Sequence, residues 1–431
     1  MSKITKVKIS DIGQTITGKT PSSNDPEDFG SEFMFVTPSD SFDKKMMNFT
    51  ERYLSVEGVE KLSNKLLPPK SIMVTCIGSA MGKVAMNETS CITNQQINSI
   101  VPNKRYDSDY IYYAIKNNFK VLRNAATGST ALPLLNKTDF DILEIPIHVD
   151  KTYQQKISSV LSPIDTKIEL NNRINRELEA MAKTLYDYWF VQFDFPNEQG
   201  KPYKSSGGKM VYNAELKRQI PEEWEVKTLA KVTAVSNESV IPMLTPEQEF
   251  KHYSIPTYDS TKTYGIEKGI DIRSNKFVVA ESDILVSKLN PWFSRVIYPI
   301  KEDDLICSTE FVVWRTSNTN IKNYLFMVAK GEHFISHCSQ SATGTSNSHK
   351  RVNPTVMMRY KVPFNSEVIQ KFGATINSWI KIGINKQIEN KQLVELRDWL
   401  LPMLMNGQVT VKEAEESLSM AAEPSVVYKK G

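Results

Sequence analysis

The stretch Ala-Thr-Gly-Ser-Thr at residues 126–130 recurs as Ala-Thr-Gly-Thr-Ser at residues 342–346, which lies 216 residues further along the chain. The segment that follows also recurs, because Ile-Pro-Ile at 145–147 returns as Val-Pro-Phe at 362–364. Solenoid repeats have periods of roughly 20–50 residues, so this much longer period indicates a duplicated domain. Each copy runs from a mixed α/β block into a long helical pattern. The sequence therefore predicts an α+β fold in which two similar α/β domains, each followed by a long helix, lie in a pseudo-two-fold arrangement.

The composition is that of an ordinary globular protein. The chain has 431 residues, of which 40% are hydrophobic and 24% are charged, and this length suits two or three domains with their own cores. We expect no membrane span, because no run of about 18 apolar residues occurs, and no signal peptide. The cysteines are far apart and form no Cys-x-x-Cys pair, which predicts reduced cytosolic thiols. A net charge of +4 says little about partners.

The long helical patterns set the predicted domain boundaries. In the first of them Ile157, Leu161, Ile164 and Ile168 step by four, three and four residues, which is heptad spacing. Two asparagines continue this seam, Asn171 and Asn175, and would fix its register. Pro163 lies either in the first turn of the main helix or at a kink in a longer one. The predicted segments are a first domain at 1–150, a helix at 151–195, a linker at 196–222, a second domain at 223–365, a second helix at 366–408 and a loose tail at 409–431.

Two basic windows occupy equivalent places in the copies. Neither Asp nor Glu occurs between Asp109 and Asp139, or between Glu332 and Glu367. Phosphate contacts need cations without nearby carboxylates, so the matched windows indicate an anionic partner such as nucleic acid rather than two solvated surfaces. Each window also holds a loop of Gly, Ser, Thr and Asn, whose short polar side chains suit phosphates and base edges. The cations of the windows are Lys116, Lys120, Arg123, Lys137, Lys350, Arg351, Arg359 and Lys361.

Three motifs resemble catalytic or metal sites but are better explained otherwise. His333 and His337 have metal-ligand spacing, yet the first copy has Arg123 at the place of His337, so we expect no metal. The Gly-rich turn at 78–83 has three residues between its glycines where a nucleotide loop needs four. The tetrapeptide Asn-Pro-Trp-Phe at 290–293 resembles the catalytic tetrapeptide of amino-methyltransferases but lacks its second proline. The sequence predicts no catalytic residues.

In the order and duplication of its motifs the chain resembles the specificity subunit of a type I restriction–modification enzyme. The resemblance spans residues 4–408, with departures at 237–239 and 309–311 that suit two modules reading different sequences. Its motifs are the opening at 7–12, Thr-Gly-Lys-Thr-Pro at 17–21, the Gly-rich turn followed by Asn-Gln-Gln-Ile at 94–97, the Ala-Thr-Gly-Ser-Thr loop, the helix at 155–175 and Pro-Glu-Glu-Trp-Glu-Val at 221–226.

The resemblance implies a non-catalytic chain with two target-recognition domains, each reading one half of a split DNA site. It implies that two long antiparallel coiled-coil helices separate these domains and bind two methyltransferase subunits, through which two restriction subunits join. S-adenosylmethionine, ATP and magnesium are then expected on the partner subunits and no cofactor in this chain. It also implies a cytoplasmic protein of a bacterium or archaeon.

From these observations we expect basic side chains to hold phosphates and loop residues to reach base edges. The expected DNA-binding residues are Lys19, Ser79, Lys83, Lys116, Lys120, Arg123, Ser129, Lys288, Asn290, Arg295, Thr345, Asn347, Lys350 and Arg351. The helix residues expected to meet a partner subunit are Leu178, Leu185, Trp189, Trp379, Leu393 and Leu400.

Two alternatives remain open at this point. A DNA-modifying enzyme with fused recognition domains would need a cofactor loop and a catalytic tetrapeptide. A scaffold that binds proteins only would show no salt-dependent affinity for DNA.

Overall fold

The computed structural model describes residues 3–78, 81–124, 134–344 and 349–422, with backbone alone for 119–121 and 417–422. The chain forms two compact units, Met1–Leu170 together with Gln392–Gly431, and Asn171–Lys391. The first is called unit 1 and the second unit 2. The predicted α+β class, with two domains joined by long helices, is confirmed.

Short strands and helices alternate before the first long helix. The strands are β1 (Ile4–Lys8), β2 (Gly13–Thr17), β3 (Phe29–Gly30), β4 (Phe33–Val36), β5 (Met46–Met47), β6 (Arg52–Leu54), β7 (Ile72–Thr75), β8 (Val84–Asn87), β9 (Cys91–Thr93), β10 (Ile97–Pro102) and β11 (Glu144–His148). The helices are α1 (Ile9–Ile12), α2 (Val56–Lys61), α3 (Ser108–Asn117), α4 (Phe119–Asn124), α5 (Lys137–Ile142) and α6 (Lys151–Tyr186).

The elements after α6 follow a similar order. The strands are β12 (Met210–Asn213), β13 (Arg218–Pro221), β14 (Glu225–Thr228), β15 (Ala234–Ser236), β16 (Ser239–Val240), β17 (Glu249–Tyr253), β18 (Gly265–Lys268), β19 (Lys276–Val278), β20 (Asp283–Ser287), β21 (Val296–Ile297), β22 (Leu305–Cys307), β23 (Phe311–Arg315) and β24 (Lys361–Phe364). The helices are α7 (Leu229–Val232), α8 (Ile255–Thr261), α9 (Thr319–Lys330), α10 (Glu332–Gln340), α11 (Pro354–Met358), α12 (Ser366–Met405) and α13 (Val411–Ala422).

The duplication is visible in the strand order of the central sheets. Unit 1 has the order β2-β10-β7-β8-β5 and unit 2 has β15-β23-β20-β21. In each unit the neighbours in the run β2-β10-β7-β8 or β15-β23-β20-β21 are antiparallel. The outer pairs β1-β11 and β14-β24 also correspond. The strand around Ile72 is therefore equivalent to that around Ile284, and the strand around Ile97 to that around Phe311.

Apolar β-branched runs explain the central strands. Every residue of β7 is buried, as is every residue of β20, because these strands are covered on both faces. In unit 1, helix α3 packs against this sheet and is capped by Asp107, whose carboxylate accepts a hydrogen bond from the backbone N–H of Tyr110 at 2.9 Å. Such a cap satisfies a helix N–H that has no partner within the helix.

The heptad seam of α6 is buried in each unit separately. In unit 1, Ile157, Leu161 and Ile164 share one apolar core with Leu400 of α12. In unit 2, Asn171 donates from its side-chain amide to Asn390 at 2.9 Å and to Glu389 at 3.1 Å.

The two long helices run antiparallel within unit 2. Asn171 contacts residues 389 and 390, whereas the Tyr186 ring lies 6.1 Å from that of Phe372, so the residue number of the contact on α12 falls as the residue number on α6 rises. Pro163 lies inside the continuous helix α6 rather than in its first turn.

Two segments are more structured than the sequence indicated. The expectation of a loose tail from 409 is wrong for its first part, because helix α13 begins at Val411 and Ala414 is fully buried in the unit 1 core. The range predicted as a linker contains the β12-β13 hairpin. Phe193 and Phe195, which come just before the predicted linker, are buried and pack against Trp224. None of the helices in the described part of the chain combines the length and apolarity needed to cross a membrane.

Candidate nucleic-acid interface

Loops meet at one end of the central sheet in unit 1. The backbone N–H of Lys19 donates to Thr93 at 2.9 Å, and that of Cys76 donates to Gln96 at 2.9 Å. The backbone N–H of Gly82 closes the next loop by donating to Thr75 at 2.7 Å. Because antiparallel neighbours alternate in direction, the ends of β2 and β7 lie beside the starts of β8 and β10. The segments 18–20, 76–78, 81–83 and 93–96 are called the unit 1 loop cluster.

The unit 1 loop cluster depends on a close backbone approach at Gly18. A Cβ atom at this position would lie 2.0 Å from the carbonyl oxygen of Thr93, so no other residue fits without moving the backbone. The hydroxyl of Thr20 then donates to the side-chain oxygen of Gln95 at 2.7 Å. The glycine of the Thr-Gly-Lys-Thr-Pro motif thus fixes the loop that presents Lys19.

Two predicted residues, Lys19 and Lys83, are exposed in this cluster. Among the described residues, neither ammonium group has a hydrogen bond or an ion pair. Ser79 of the same loop and Ser129 lie outside the described residues. The structure therefore brings together two of the predicted cations at one end of the sheet.

The equivalent loops of unit 2 meet in the same way. The backbone N–H of Lys288 donates to Glu310 at 2.9 Å, and that of Val352 donates to Lys288 at 3.0 Å. Asn290 makes two hydrogen bonds to the backbone of Lys350. Its N–H donates to the Lys350 carbonyl oxygen at 2.7 Å, and its side-chain oxygen accepts from the Lys350 N–H at 3.0 Å. The segments 288–295, 308–310 and 349–352 are called the unit 2 loop cluster. Thr345 and Asn347 lie outside the described residues.

Arginines in the unit 2 loop cluster are paired with acids. Arg351 makes a two-pronged contact with Glu310, at 2.9 Å and 3.1 Å, and Arg295 makes one with Asp259, at 2.7 Å and 2.8 Å. Hydrogen bonding to Glu310 raises the pKa of Arg351, and hydrogen bonding to Arg295 lowers the pKa of Asp259. The basic window around Arg351 is acid-free in sequence but not in space, because the fold brings a carboxylate from a distant strand end. The expectation that no carboxylate lies near the cations of this window is therefore wrong for Arg351.

Lysines, by contrast, are left available in this cluster. Lys288 and Lys350 are half-buried, and their ammonium groups have no hydrogen bond or ion pair with any residue of the described ranges. Each arginine neutralises an acid, so the local positive charge resides on the two lysines. A polyanion is attracted to such a surface, and its phosphates find cations that carboxylates do not already hold.

Lys116 lies against the long helices of unit 1. Its ammonium group donates to the Tyr112 hydroxyl at 3.3 Å. Burial lowers the pKa of Lys116, and the charge of Arg397 on α12 lowers it further. Arg123 is exposed in the last turn of α4, and the side chain of Lys120 lies outside the described residues. These three cations do not share one continuous helix, because α3, which carries Lys116, ends at Asn117 and α4, which carries the other two, begins at Phe119.

The residues predicted to meet a partner subunit are buried to different degrees. Trp189 and Leu400 are buried within the cores of unit 2 and unit 1, respectively. The other four are half-buried: Leu178, Leu185, Trp379 and Leu393. A separate residue, Trp399, is 48% exposed on α12. Their contact with a partner stays a prediction.

Polar residues that resembled a chemical site have structural partners. The imidazole Nε2 of His337 lies 3.2 Å from the carbonyl oxygen of Val356. The side-chain oxygen of Asn290 is used by the Lys350 N–H. Within the described ranges, no group of three His, Cys, Asp or Glu side chains could hold a metal ion.

Three features of the loop clusters were not among the expected DNA-binding residues: an exposed glutamine, a pair of exposed aromatic rings, and the acids that pair with the arginines. Gln95 is exposed beside Lys19, and Trp292 and Phe293 project from the unit 2 loop cluster. The Asn-Gln-Gln motif and the exposed aromatic pair in a basic loop were the available signals. The acids that pair with the arginines had no signal, because Asp259 and Glu310 are 36 and 41 residues from their partners.

Comparisons with known proteins agree with one another. The family model described as a type I restriction modification DNA specificity domain matches residues 1–180 and 221–391. The MjaIX specificity subunit of a type I restriction enzyme from Methanocaldococcus jannaschii is 28% identical over 94% of this chain and 93% of its own length. The HindI specificity subunit from Haemophilus influenzae is 36% identical over 41% of this chain and 39% of its own length.

A solved structure shares the fold. The type I restriction–modification S subunit from M. genitalium superposes with a TM-score of 0.60 at 16% sequence identity. The match covers 94% of this chain and 96% of that one.

Proposed function

This chain belongs to the type I restriction–modification DNA specificity family, whose role is DNA recognition without catalysis, and from that premise we propose that each loop cluster grips one half of a bipartite DNA site. The unit 1 loop cluster would contact one half-site and the unit 2 loop cluster the other. Lysines hold the phosphates, and the short polar side chains beside them reach base edges.

The observation that carries this proposal is the recurrence, at equivalent sheet ends, of lysines whose ammonium groups have no partner among the described residues. Lys19 and Lys83 lie at the loop end of β2 and β7, and Lys288 and Lys350 lie at the loop end of β20. A duplicated fold preserves its core in both copies for packing reasons. It has no packing reason to keep unpaired cations at the same end of both sheets, so a shared polyanionic ligand explains them.

The paired helices have a second proposed task. They space the two half-site contacts and dock two methyltransferase subunits, through which two restriction subunits join. S-adenosylmethionine, ATP and magnesium would be bound by those partners. The half-buried Leu178, Leu185, Trp379 and Leu393 support this role, because apolar side chains left partly open on a helix suit another helix.

Salt dependence of DNA binding tests the proposal. The chain is reconstituted with its methyltransferase subunits and titrated with a duplex carrying the site mapped by adenine methylation of host DNA. Two double variants are compared with the parent complex: Lys19→Gln with Lys83→Gln, and Lys288→Gln with Lys350→Gln. Each lost phosphate contact should reduce the slope of log affinity against log salt by about 0.9, so each pair should reduce it by about 2.

Matched controls come from the opposite end of the same sheets. Lys8 is the last residue of β1, before α1 and β2, and Lys231 lies in α7 before β15. Both side chains are exposed, and their ammonium groups have no partner among the described residues. Lys8→Gln and Lys231→Gln should leave the slope unchanged. Equal slopes for the parent and both double variants would contradict the placement of the DNA on the loop clusters.

A further inference from the structure

Two large aromatic side chains stand exposed at the tip of the unit 2 loop cluster. Trp292 is 41% exposed and Phe293 is 59% exposed, and their ring centroids lie 6.0 Å apart. Aromatic side chains of this size normally contribute to a core, where burial of their apolar area stabilises the fold. Adjacent exposed rings are therefore a sign of a binding surface. We refer to Trp292 and Phe293 together as the aromatic tip.

The base of the aromatic tip is rigid. Asn290 and Ser294 flank it with φ values of 48° and 47°, in the left-handed region that costs energy for residues with a Cβ atom. Backbone hydrogen bonds from Phe293 to Asn290 and from Ser294 to Pro291, both 3.0 Å, close the turn. Such strain persists only where the surroundings enforce it, and here it directs the two rings outward.

Packing below the turn holds it in place. Pro291 is buried and lines a small cavity together with Phe334 and Cys338 of α10. The guanidinium of Arg295 lies 4.6 Å from the centre of the Phe293 ring and is itself fixed by Asp259. The tip is thus preorganised, so a ligand that contacts it pays little ordering entropy.

The charges around the tip favour a nucleic acid as its ligand. Lys288 and Lys350 lie at the foot of the turn without a partner in the described ranges. The neighbouring acids Asp259 and Glu310 are each neutralised by an arginine. An apolar protein surface would gain nothing from the two lysines, whereas a DNA backbone offers phosphates to them and stacked bases to the rings.

We propose that Trp292 and Phe293 form a wedge that enters a base step of the half-site contacted by unit 2 and unstacks it, while Lys288 and Lys350 hold the flanking phosphates. This inference rests on the proposed function. Apolar side chains that enter a base step unstack it and kink the duplex, so the sequence at that step is read through its deformability.

The wedge belongs to one half-site only. The equivalent loop of unit 1 has the sequence Gly-Ser-Ala-Met-Gly-Lys at 78–83, which contains no aromatic residue, and its Met81 is buried. The two units therefore differ at this loop, because the unit 2 loop carries two aromatic rings that can enter a base step and the unit 1 loop carries none.

Fluorescence of 2-aminopurine tests the wedge, because this base becomes brighter when it is unstacked. The reconstituted complex is mixed with duplexes carrying 2-aminopurine at successive positions of both half-sites. We expect the parent complex to raise the fluorescence at one step of one half-site. The double variant Trp292→Ala with Phe293→Ala should abolish that rise and weaken binding by about 10- to 100-fold, since a base stacked on an aromatic ring contributes about 1–3 kcal/mol.

Two further variants separate stacking from other effects. Trp292→Tyr keeps an aromatic ring and should retain the fluorescence rise. Leu244→Ala removes another exposed apolar side chain of unit 2, which is 76% exposed, and should change neither signal nor affinity. Equal thermal unfolding of all variants shows that the fold is intact.

Each remaining outcome overturns a specific statement. Unchanged affinity and fluorescence in the double variant would refute the wedge while leaving the lysine contacts standing. Loss of methyltransferase subunits from the double variant during gel filtration would show that the tip is a protein contact, and the wedge would be wrong. Failure of the parent complex to bind the duplex at low salt would refute the proposed function and the wedge with it.

Discussion

Replacing Arg397 by Met should destabilise unit 1 by about 3–5 kcal/mol, because it strands a buried carboxylate. Arg397 on α12 contacts Asp165 on α6 at 2.8 Å, and the two side chains are only 13% and 9% exposed. The Tyr113 hydroxyl on α3 donates to the same carboxylate at 2.5 Å. One ionic group thus connects three helices of unit 1.

The expected loss of stability is large because the Arg397–Asp165 pair is buried. With charge centres about 4 Å apart and an effective dielectric of about 20, the pair attracts by about 4 kcal/mol. Burial alone would lower the pKa of Arg397, but the charge and hydrogen bond of Asp165 outweigh it and raise that pKa. Asp165 keeps its desolvation cost when the cation is removed, so the loss is close to the full attraction. Asp398 contacts the same guanidinium but is 57% exposed, and Asp398→Ala should cost only about 0–1 kcal/mol.

Hydrogen exchange measures this loss locally. Whole-chain denaturation of two units is not a single transition, whereas amide protection in α3 reports the opening of unit 1. Protection there should fall by about two to three and a half powers of ten in Arg397→Met, since a tenfold change is about 1.4 kcal/mol. Amides of α9, which belongs to unit 2, serve as the internal reference.

A second substitution distinguishes a stranded charge from lost packing. Arg397→Met combined with Asp165→Asn removes both charges and keeps an acceptor for the Tyr113 hydroxyl, so it should recover at least half of the protection. The reasoning fails if Arg397→Met leaves α3 protection unchanged, or if the double variant is no more protected than the single one.

Two further predictions concern buried titratable groups. Lys322 is buried beside the carbonyl oxygens of Glu281 and Pro299, at 2.6 Å and 3.0 Å, and burial lowers its pKa to about 7. The unfolded chain then binds more protons between pH 7 and the ordinary lysine pKa of about 10.4. Unit 2 should therefore gain stability as pH rises from 7 to 9, and Lys322→Met should flatten that rise in denaturant midpoints; a parallel rise in both proteins would contradict it. Burial also raises the pKa of Cys76 to about 11 and of Cys91 to about 12, so a disulfide reagent at pH 8 should label neither thiol before unfolding, and labelling within seconds would refute this.

The fold was predictable where the chain repeats itself. Two patterns of residue spacing predict it: the recurrence of the Ala-Thr-Gly-Ser-Thr stretch, and the heptad spacing of Ile157, Leu161 and Ile164. Both are read directly from residues close together in the sequence. The same is true of the register asparagine Asn171, whose polar side chain in an apolar seam needs a partner at a fixed place.

The site was only partly predictable. The sequence predicts Lys19, Lys83 and Lys288 from their loops and Lys350 from its basic window, and all four lie within a loop cluster. Arg351 was expected to contact phosphate because no acid is near it in the sequence. Its carboxylate partner Glu310 is 41 residues away and is brought close only by the fold. The tail was misjudged for the same reason, because Ala414 is buried by contacts that its own segment does not encode.

The amino-acid sequence by itself determined the duplication, the α+β class, the long helices and the loops that carry cations. These follow from spacing and residue type over short stretches. Only the tertiary structure decided which cations stay unpaired, which face a carboxylate and which aromatic rings remain exposed. Those outcomes depend on side chains tens of residues apart, whose proximity is set by strand pairing and core packing rather than by any local pattern.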